Sequence, residues 1–390
     1  MPLPLTALGP LPRTAGCASV ALGGEAAPLV LLARESAIVG RGAVEIVPAG
    51  SSADLALTVA ELHARDAGAE GARVVGLMPF GAGFPAYAYR MEGTDGKPPE
   101  PIGQRQGTLT VRQDPSPQDY TAAVTAAIGA IARDGLALRK VVLARSLVVC
   151  SSESFDIATL LSRLRRDRSV LTFSVPLPAL PGERRALVGA TPELLVRKRG
   201  RNVVSEPLAG SAARSSDPIA DRERAAALLR SQKDRREHRP VVEAVLDALA
   251  PHCTGLQASA PSIVSTATMW HLGTRIEGTL RGVDKTVTDL AAALHPTPAV
   301  CGTPREAARE LIAALEPVER GFFAGALGWS DARGDGDWHV VIRCAEIGDR
   351  TARLFAGAGI VEGSEPEAEL AETAAKFSAL LRALGIEEAA

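Results

Sequence analysis

Short apolar runs broken by glycine and proline open the chain. VEIVPA, ARVVGLMPF and AYAYRM have the length and composition of strands, and ADLALTVAELHARDAG predicts a helix after the first of them. Residues 93–107, GTDGKPPEPIGQRQG, hold three prolines and four glycines and predict an exposed loop. Ser116-Pro117 then supplies a cap and a first-turn proline. The helix it opens buries Tyr120, Val124, Ile128 and Ile131 and should stop near Gly135. LRKVVLARSLVV is a strong strand and DIATLLSRLRR a short amphipathic helix. SVLTFSVPLP, RALVGATPELLVRKRG and RNVVSEPLAG read as strands joined by tight turns, hence an antiparallel meander. Asp217-Pro218 opens a long helical segment that Pro240 should kink or divide. IVSTATMWHL and TRIEGTL are strands, Thr288 caps a helix ending at HPTPAVCG, and Thr303-Pro304-Arg305-Glu306 reads as a capping box. GFFAGALGWS and DWHVVIRCA form one hairpin, its second strand presenting Arg343. The connection DARGDGD lacks calcium-loop spacing and reads as a turn. RLFAG follows and breaks at Gly357-Ala358-Gly359, before an acid-rich turn and a last helix.

Strands adjacent in sequence, with helices between groups of them, predict a mixed α/β (α+β) fold with stacked, largely antiparallel sheets. The 390 residues suit two or three domains of ~150 residues or one large unit. Every candidate site residue lies after position 138, so residues 1–110 are expected to complete the fold and 111–390 to carry the site, within one structural unit. A net charge of −2 gives no footprint for nucleic acid or an anionic membrane. Five cysteines without CxxC spacing argue for a reducing compartment, and against a disulfide framework or a zinc site. The start, MPLPLTALGPLPRT, has prolines where a signal peptide needs an apolar core, and no apolar run is long enough to span a membrane. A cytoplasmic protein is the expectation.

The last helix carries Glu369, Glu372 and Lys376 at spacings that share a face. With Arg343 and the bare backbone at Gly357, they suit a small anionic ligand held through a divalent metal, although a surface pair of Glu372 and Lys376 would read the same. Lys140 opens a buried strand, where desolvation disfavours a charged amine and can make it a base; a lysine snorkelling at a sheet edge is the alternative. Glu193, in the bend ATPELLV, is either exposed or a carboxyl of raised pKa suited to general acid work. Glu237 lies in SQKDRREHRP, whose Asp234, Arg235 and Arg236 read as a solvated face, and the adjacent His238 diverges too far to share an ion with it. His271 reads equally as a core or a ligand-binding histidine. Ala299 lies in a loop that can approach another group closely, and Gly210 and Ser211 offer N–H groups and a hydroxyl to an anion.

KVVLAR, GATPELLVRK, SEPLAGSAAR, QKDRREH, MWHLGT, HPTPAVCG, VIRCAEI and LFAGAGIVEGS, in this order and before an acidic helix with a lysine, resemble the chorismate-utilising enzymes. Within that family the isochorismate synthases of siderophore and menaquinone pathways are most similar, over roughly residues 115–385. The resemblance implies one large α/β unit that binds chorismate with Mg²⁺. It implies Lys140 as the base that activates water and Glu193 as the acid that protonates the departing hydroxyl. Glu237, Glu372 and Glu369 would hold Mg²⁺, and Arg343, His271, Gly210, Ser211, Ala299, Gly357 and Lys376 would line the substrate pocket. A lysine at 140 favours water over ammonia as nucleophile, so no glutaminase partner is expected; nothing demands more than a monomer. Salicylate synthase, which goes on to eliminate pyruvate, is the alternative enzyme. A non-catalytic, metal-linked carboxylate-binding protein is the alternative outside enzymes.

Overall fold

A computed structural model of the chain describes residues 20–22, 27–34, 36–66, 71–101, 107–133, 138–179 and 183–386. The amino-terminal MPLPLTALGPLPRT, residues 102–106 of the predicted loop and Gly135 fall outside these. Two large sheets and one small sheet organise the molecule, and every ladder between described strands is antiparallel. Read across, the ten-stranded sheet runs Val20–Leu22, Arg41–Ala49, Ala86–Gly93, Arg73–Met78, Ala326–Asp331, Gly336–Val340, Leu194–Arg199, Asn202–Glu206, Ile276–Leu280 and Cys253–Ala258. The nine-stranded sheet is built around Lys140–Ser151, which pairs with Thr351–Ile360, with Leu109–Asp114 and with Gly302–Thr303. It continues through Cys344–Ile347, Ala186–Thr191, Leu171–Pro176, Val30–Leu32 and Ala37–Val39. Leu208–Ala213, Met269–Gly273 and Ser262–Ser265 form the small sheet. Strands from the first hundred residues lie in both large sheets.

The alternation of side chains across a strand explains two cores. The larger core draws Val141, Phe173 and Leu187 from one big sheet and Leu195, Val196 and Trp338 from the other. The smaller core takes Ala186, Val188, Leu354 and Ala356 on the far face and covers them with the helices Ile157–Leu164 and Pro366–Leu384 through Leu160, Leu161, Phe377 and Leu380. A sheet covered on both faces needs strands that are apolar throughout, which is why KVVLARSLVV shows no clean alternation. Helix Pro117–Arg133 starts as expected, with Ser116 Oγ accepting from the Asp119 N–H. Its buried stripe uses Ala127, while Ile128 is half-buried.

Several local expectations need correction. The meander does not exist as one sheet: Ala186–Thr191 and Leu194–Arg199 lie in different large sheets, and Leu208–Ala213 moves to the small one. Burial drives the separation, because each strand fits a different layer of the core. The long helical segment divides at Ser231, not at Pro240; Ser231 is extended and its hydroxyl caps Gln232–Leu249 by accepting from the Asp234 N–H. Pro240 sits inside that helix, buried. Thr286, with Asp289, makes the capping box of helix Val287–Leu294, and Thr288 is buried inside it. Thr303 forms no capping box: it pairs with Lys140 in the sheet, and Pro304 takes the cap position of Arg305–Leu315. Gly357-Ala358-Gly359 does not end its strand, which runs unbroken over Thr351–Ile360. No described helix is long and apolar enough to cross a membrane.

Candidate active site

Two places where the chain passes from one large sheet to the other lie side by side. The first joins Ala186–Thr191 to Leu194–Arg199 and holds Glu193; the second joins Gly336–Val340 to Cys344–Ile347 and holds Arg343. They are laced together. Thr191 Oγ1 donates to the Val340 carbonyl at 2.6 Å, the Val340 N–H donates to the Glu193 carbonyl at 3.1 Å, and the Ala190 N–H donates to the Arg343 carbonyl at 3.1 Å. Arg343 is therefore not on a strand, as VVIRC suggested, but at a break with left-handed backbone, φ 52°. Such a conformation is costly for a residue with a Cβ and persists where its surroundings enforce it.

Between the crossings and the small sheet lies a pocket bounded by Glu193, Gly210, Ser211, His271 and Ala299, with Glu237, Arg343, Gly357 and Lys376 completing its polar wall. Glu193 is buried, and burial is the main cause that raises its carboxyl to about 7; the Leu208 N–H, Lys140, Arg343 and Lys376 pull the other way. The Arg343 guanidinium makes no hydrogen bond among the described residues, and burial lowers it to about 10 against the pull of Glu372 and Glu193. Burial, then Arg343 and Lys376, hold His271 well below the ordinary histidine range, so the ring is neutral. Its Nε2 is buried without a hydrogen-bond partner. The pocket thus offers a proton donor, an unpaired guanidinium and a neutral imidazole within one enclosure.

Lys140 is fully buried at the start of its strand, so the snorkelling alternative fails. Its Nζ donates to Glu237 Oε1 at 3.2 Å and to the Glu237 carbonyl at 3.3 Å. Two glycines make this possible. Gly302, in the HPTPAVCG loop, pairs with Val141, and a side chain there would run into the Lys140 carbonyl and Ala308. The close approach expected of that loop is to the strand of Lys140. A methyl on Gly359 would overlap Glu237 Oε1 and come within 3.0 Å of Lys140 Cε. Gly359→Ala should therefore push the pair apart, costing about 1–3 kcal/mol of stability by overpacking. Thermal unfolding checks that cost, and turnover of the variant should fall at least about tenfold, since small displacements near the chemistry are expensive.

The last helix contributes as expected from its spacing. Glu372 Oε1 accepts from Lys376 Nζ at 2.6 Å and from Ser211 Oγ at 3.0 Å, and Lys376 also donates to the Gly357 carbonyl at 2.7 Å. This is a partly buried, pocket-facing pair and not the surface pair that local sequence allowed. Glu369 Oε1 accepts from Lys233 Nζ at 2.6 Å. Asp234, assigned to a solvated face, is half-buried and lies within electrostatic reach of Glu237, Lys233 and Glu372. Arg235 and Arg236 are exposed as expected, and His238 is buried against Thr274 Oγ1. Arg320 also borders the pocket, bound to Glu316 and to the Val300 and Val142 carbonyls. Its four-residue spacing from Glu316 was the available signal.

As the side chains stand, no three acidic, histidine or cysteine groups among the described residues converge closely enough to hold an ion. Glu237, Glu369 and Glu372 are each turned to a lysine instead. Their chemistry nevertheless fits Mg²⁺, which takes hard oxygen donors. Oε2 of the fully buried Glu369 has no hydrogen-bond partner at bonding distance, though the Ser364 hydroxyl favours its charged form.

Residues 90–385 match the model of the chorismate-binding enzyme family. The chain belongs to that family. It is 44% identical over 366 residues to isochorismate synthase DhbC of Bacillus subtilis, covering 90% of this chain and 92% of that protein. The crystal structure of DhbC from Bacillus anthracis superposes with a TM-score of 0.85 at 42% identity, covering 92% of this chain and 96% of that one. The menaquinone-specific isochorismate synthase MenF of Escherichia coli gives 0.77 at 25% identity, covering 97% and 96%. The expected family and mixed α/β fold class hold.

Proposed function

We propose that this protein is an isochorismate synthase, an isomerase that adds water at ring carbon 2 of chorismate while the hydroxyl on carbon 4 leaves and the ring double bonds shift. The observation that carries the reading is the Glu193 carboxyl, raised by burial to about 7, inside one pocket with Arg343 and beside the buried Lys140. Water is a weak nucleophile until a base removes its proton, and hydroxide leaves poorly until it is protonated. Lys140 accepts the proton of the attacking water. Glu193 gives its proton to the hydroxyl that departs, so one water is consumed and one released. Arg343 binds a substrate carboxylate, and the neutral His271 offers its unpartnered Nε2 to the same ligand. Glu237, Glu369 and Glu372 would hold Mg²⁺, which would supply positive charge to offset these carboxylates beside an anionic substrate.

Incubating the purified protein with chorismate and Mg²⁺ and separating the products by chromatography tests this reading. Isochorismate should accumulate. Salicylate together with pyruvate would instead assign the longer reaction, and unchanged chorismate would remove the enzymatic reading altogether.

A further inference from the structure

Glu237, Glu369, Glu372 and three lysines gather beside the pocket, and the lysines are not equivalent. Lys140, 0% exposed, is fastened to both the side chain and the carbonyl of Glu237. Lys376, 12% exposed, is fastened to Glu372 and to the Gly357 carbonyl. Lys233 is different. It sits in the first turn of Gln232–Leu249, its side chain is 30% exposed, and its ammonium is held by Glu369. Burial alone would lower that ammonium, but Glu369 first, then Glu372 and Glu237, raise it above the ordinary lysine value. One cation therefore lies in the field of all three carboxylates assigned to the metal. Opposite it, Glu369 keeps a second oxygen without a hydrogen-bond partner.

We propose that Lys233 is a resident counter-cation, whose ammonium neutralises the carboxylates in the metal-free protein and swings into solvent when a divalent ion arrives. The proposal rests on the Mg²⁺ site of the preceding subsection. Metal uptake is then an exchange of one cation for another, and the measured affinity is reduced by the fraction of protein in which Lys233 still occupies Glu369. Lys233 alone among the three can leave, because its side chain already reaches water and has no second anchor to break.

Calorimetric titration of Mg²⁺ into wild-type protein, Lys233→Met and Lys233→Gln, each stripped with chelator, tests the exchange without reference to turnover. Both variants should bind Mg²⁺ at least about tenfold more tightly than wild type, within the usual range of site coupling. Lys233→Gln keeps a donor for Glu369, which guards against a Met variant that fails to fold. In thermal unfolding, Mg²⁺ should raise the midpoint of either variant further than that of wild type. Lys233→Arg keeps the charge and should not bind more tightly than wild type. Equal or weaker Mg²⁺ binding by the uncharged variants overturns the exchange and leaves the metal site standing. Mg²⁺ that binds none of the proteins overturns the site and the exchange together.

Discussion

Glu193→Gln should lower kcat by about 10²–10⁴-fold, the span a positioned general acid contributes. The substitution keeps shape and removes only the proton to be given away. Because burial raises this carboxyl to about 7, kcat/KM of the wild type should fall as pH rises through neutrality, and the variant should lose that limb. A wild-type profile flat to pH 9 would contradict the assignment. Stability carries the same signature. The folded-state value lies above the ordinary 4.5, so the stabilisation from the protonated form is complete below about pH 4.5 and lost by about pH 7. At 1.36 kcal/mol per unit the loss approaches about 3.4 kcal/mol above neutrality, and Glu193→Gln should escape it. Its melting temperature should therefore exceed that of wild type at pH 8, with the gap closing at pH 4.

Lys140→Met should abolish turnover to a comparable degree, by removing the base, and should also cost stability. Lys140 and Glu237 are a buried pair, and deleting one partner strands the other; such deletions cost about 3–5 kcal/mol. The two effects separate cleanly. Equilibrium binding of chorismate should survive at low temperature, because Arg343 and His271 remain, while product formation in the same sample does not. Turnover within a few-fold of wild type would show that some other group activates the water.

Much of this site was legible because its residues stand in motifs that keep their order. Lys140, Glu193, Arg343 and the acids of the last helix were all named from local patterns; Glu193 and Arg343 line one pocket, while Lys140 bonds Glu237, and Glu372 bonds Ser211 and Lys376. Periodicity was less informative about layers. Alternation says that Leu187 and Val188 point in opposite directions, but both directions are apolar, so nothing local reveals that Ala186–Thr191 and Leu194–Arg199 belong to different sheets. Glu193 looked like a turn residue and proved to be a crossing residue. Arg343 was hidden differently: VVIRC reads as continuous strand, and only tertiary packing holds its backbone at φ 52°. Asp234 was missed because charges of both signs within one helical turn usually mean water, whereas here the turn faces other acids. Gly357 and Gly359 suggested a break, yet long pairing with Lys140–Ser151 holds the strand together, and the missing side chain of Gly359 leaves space for Glu237.

The bonds that tie residues 190–193 to residues 340–343 make the two passages between layers a single mechanical seam. If the layers slide or breathe against each other, proton donor and guanidinium travel as one body and their mutual spacing is preserved.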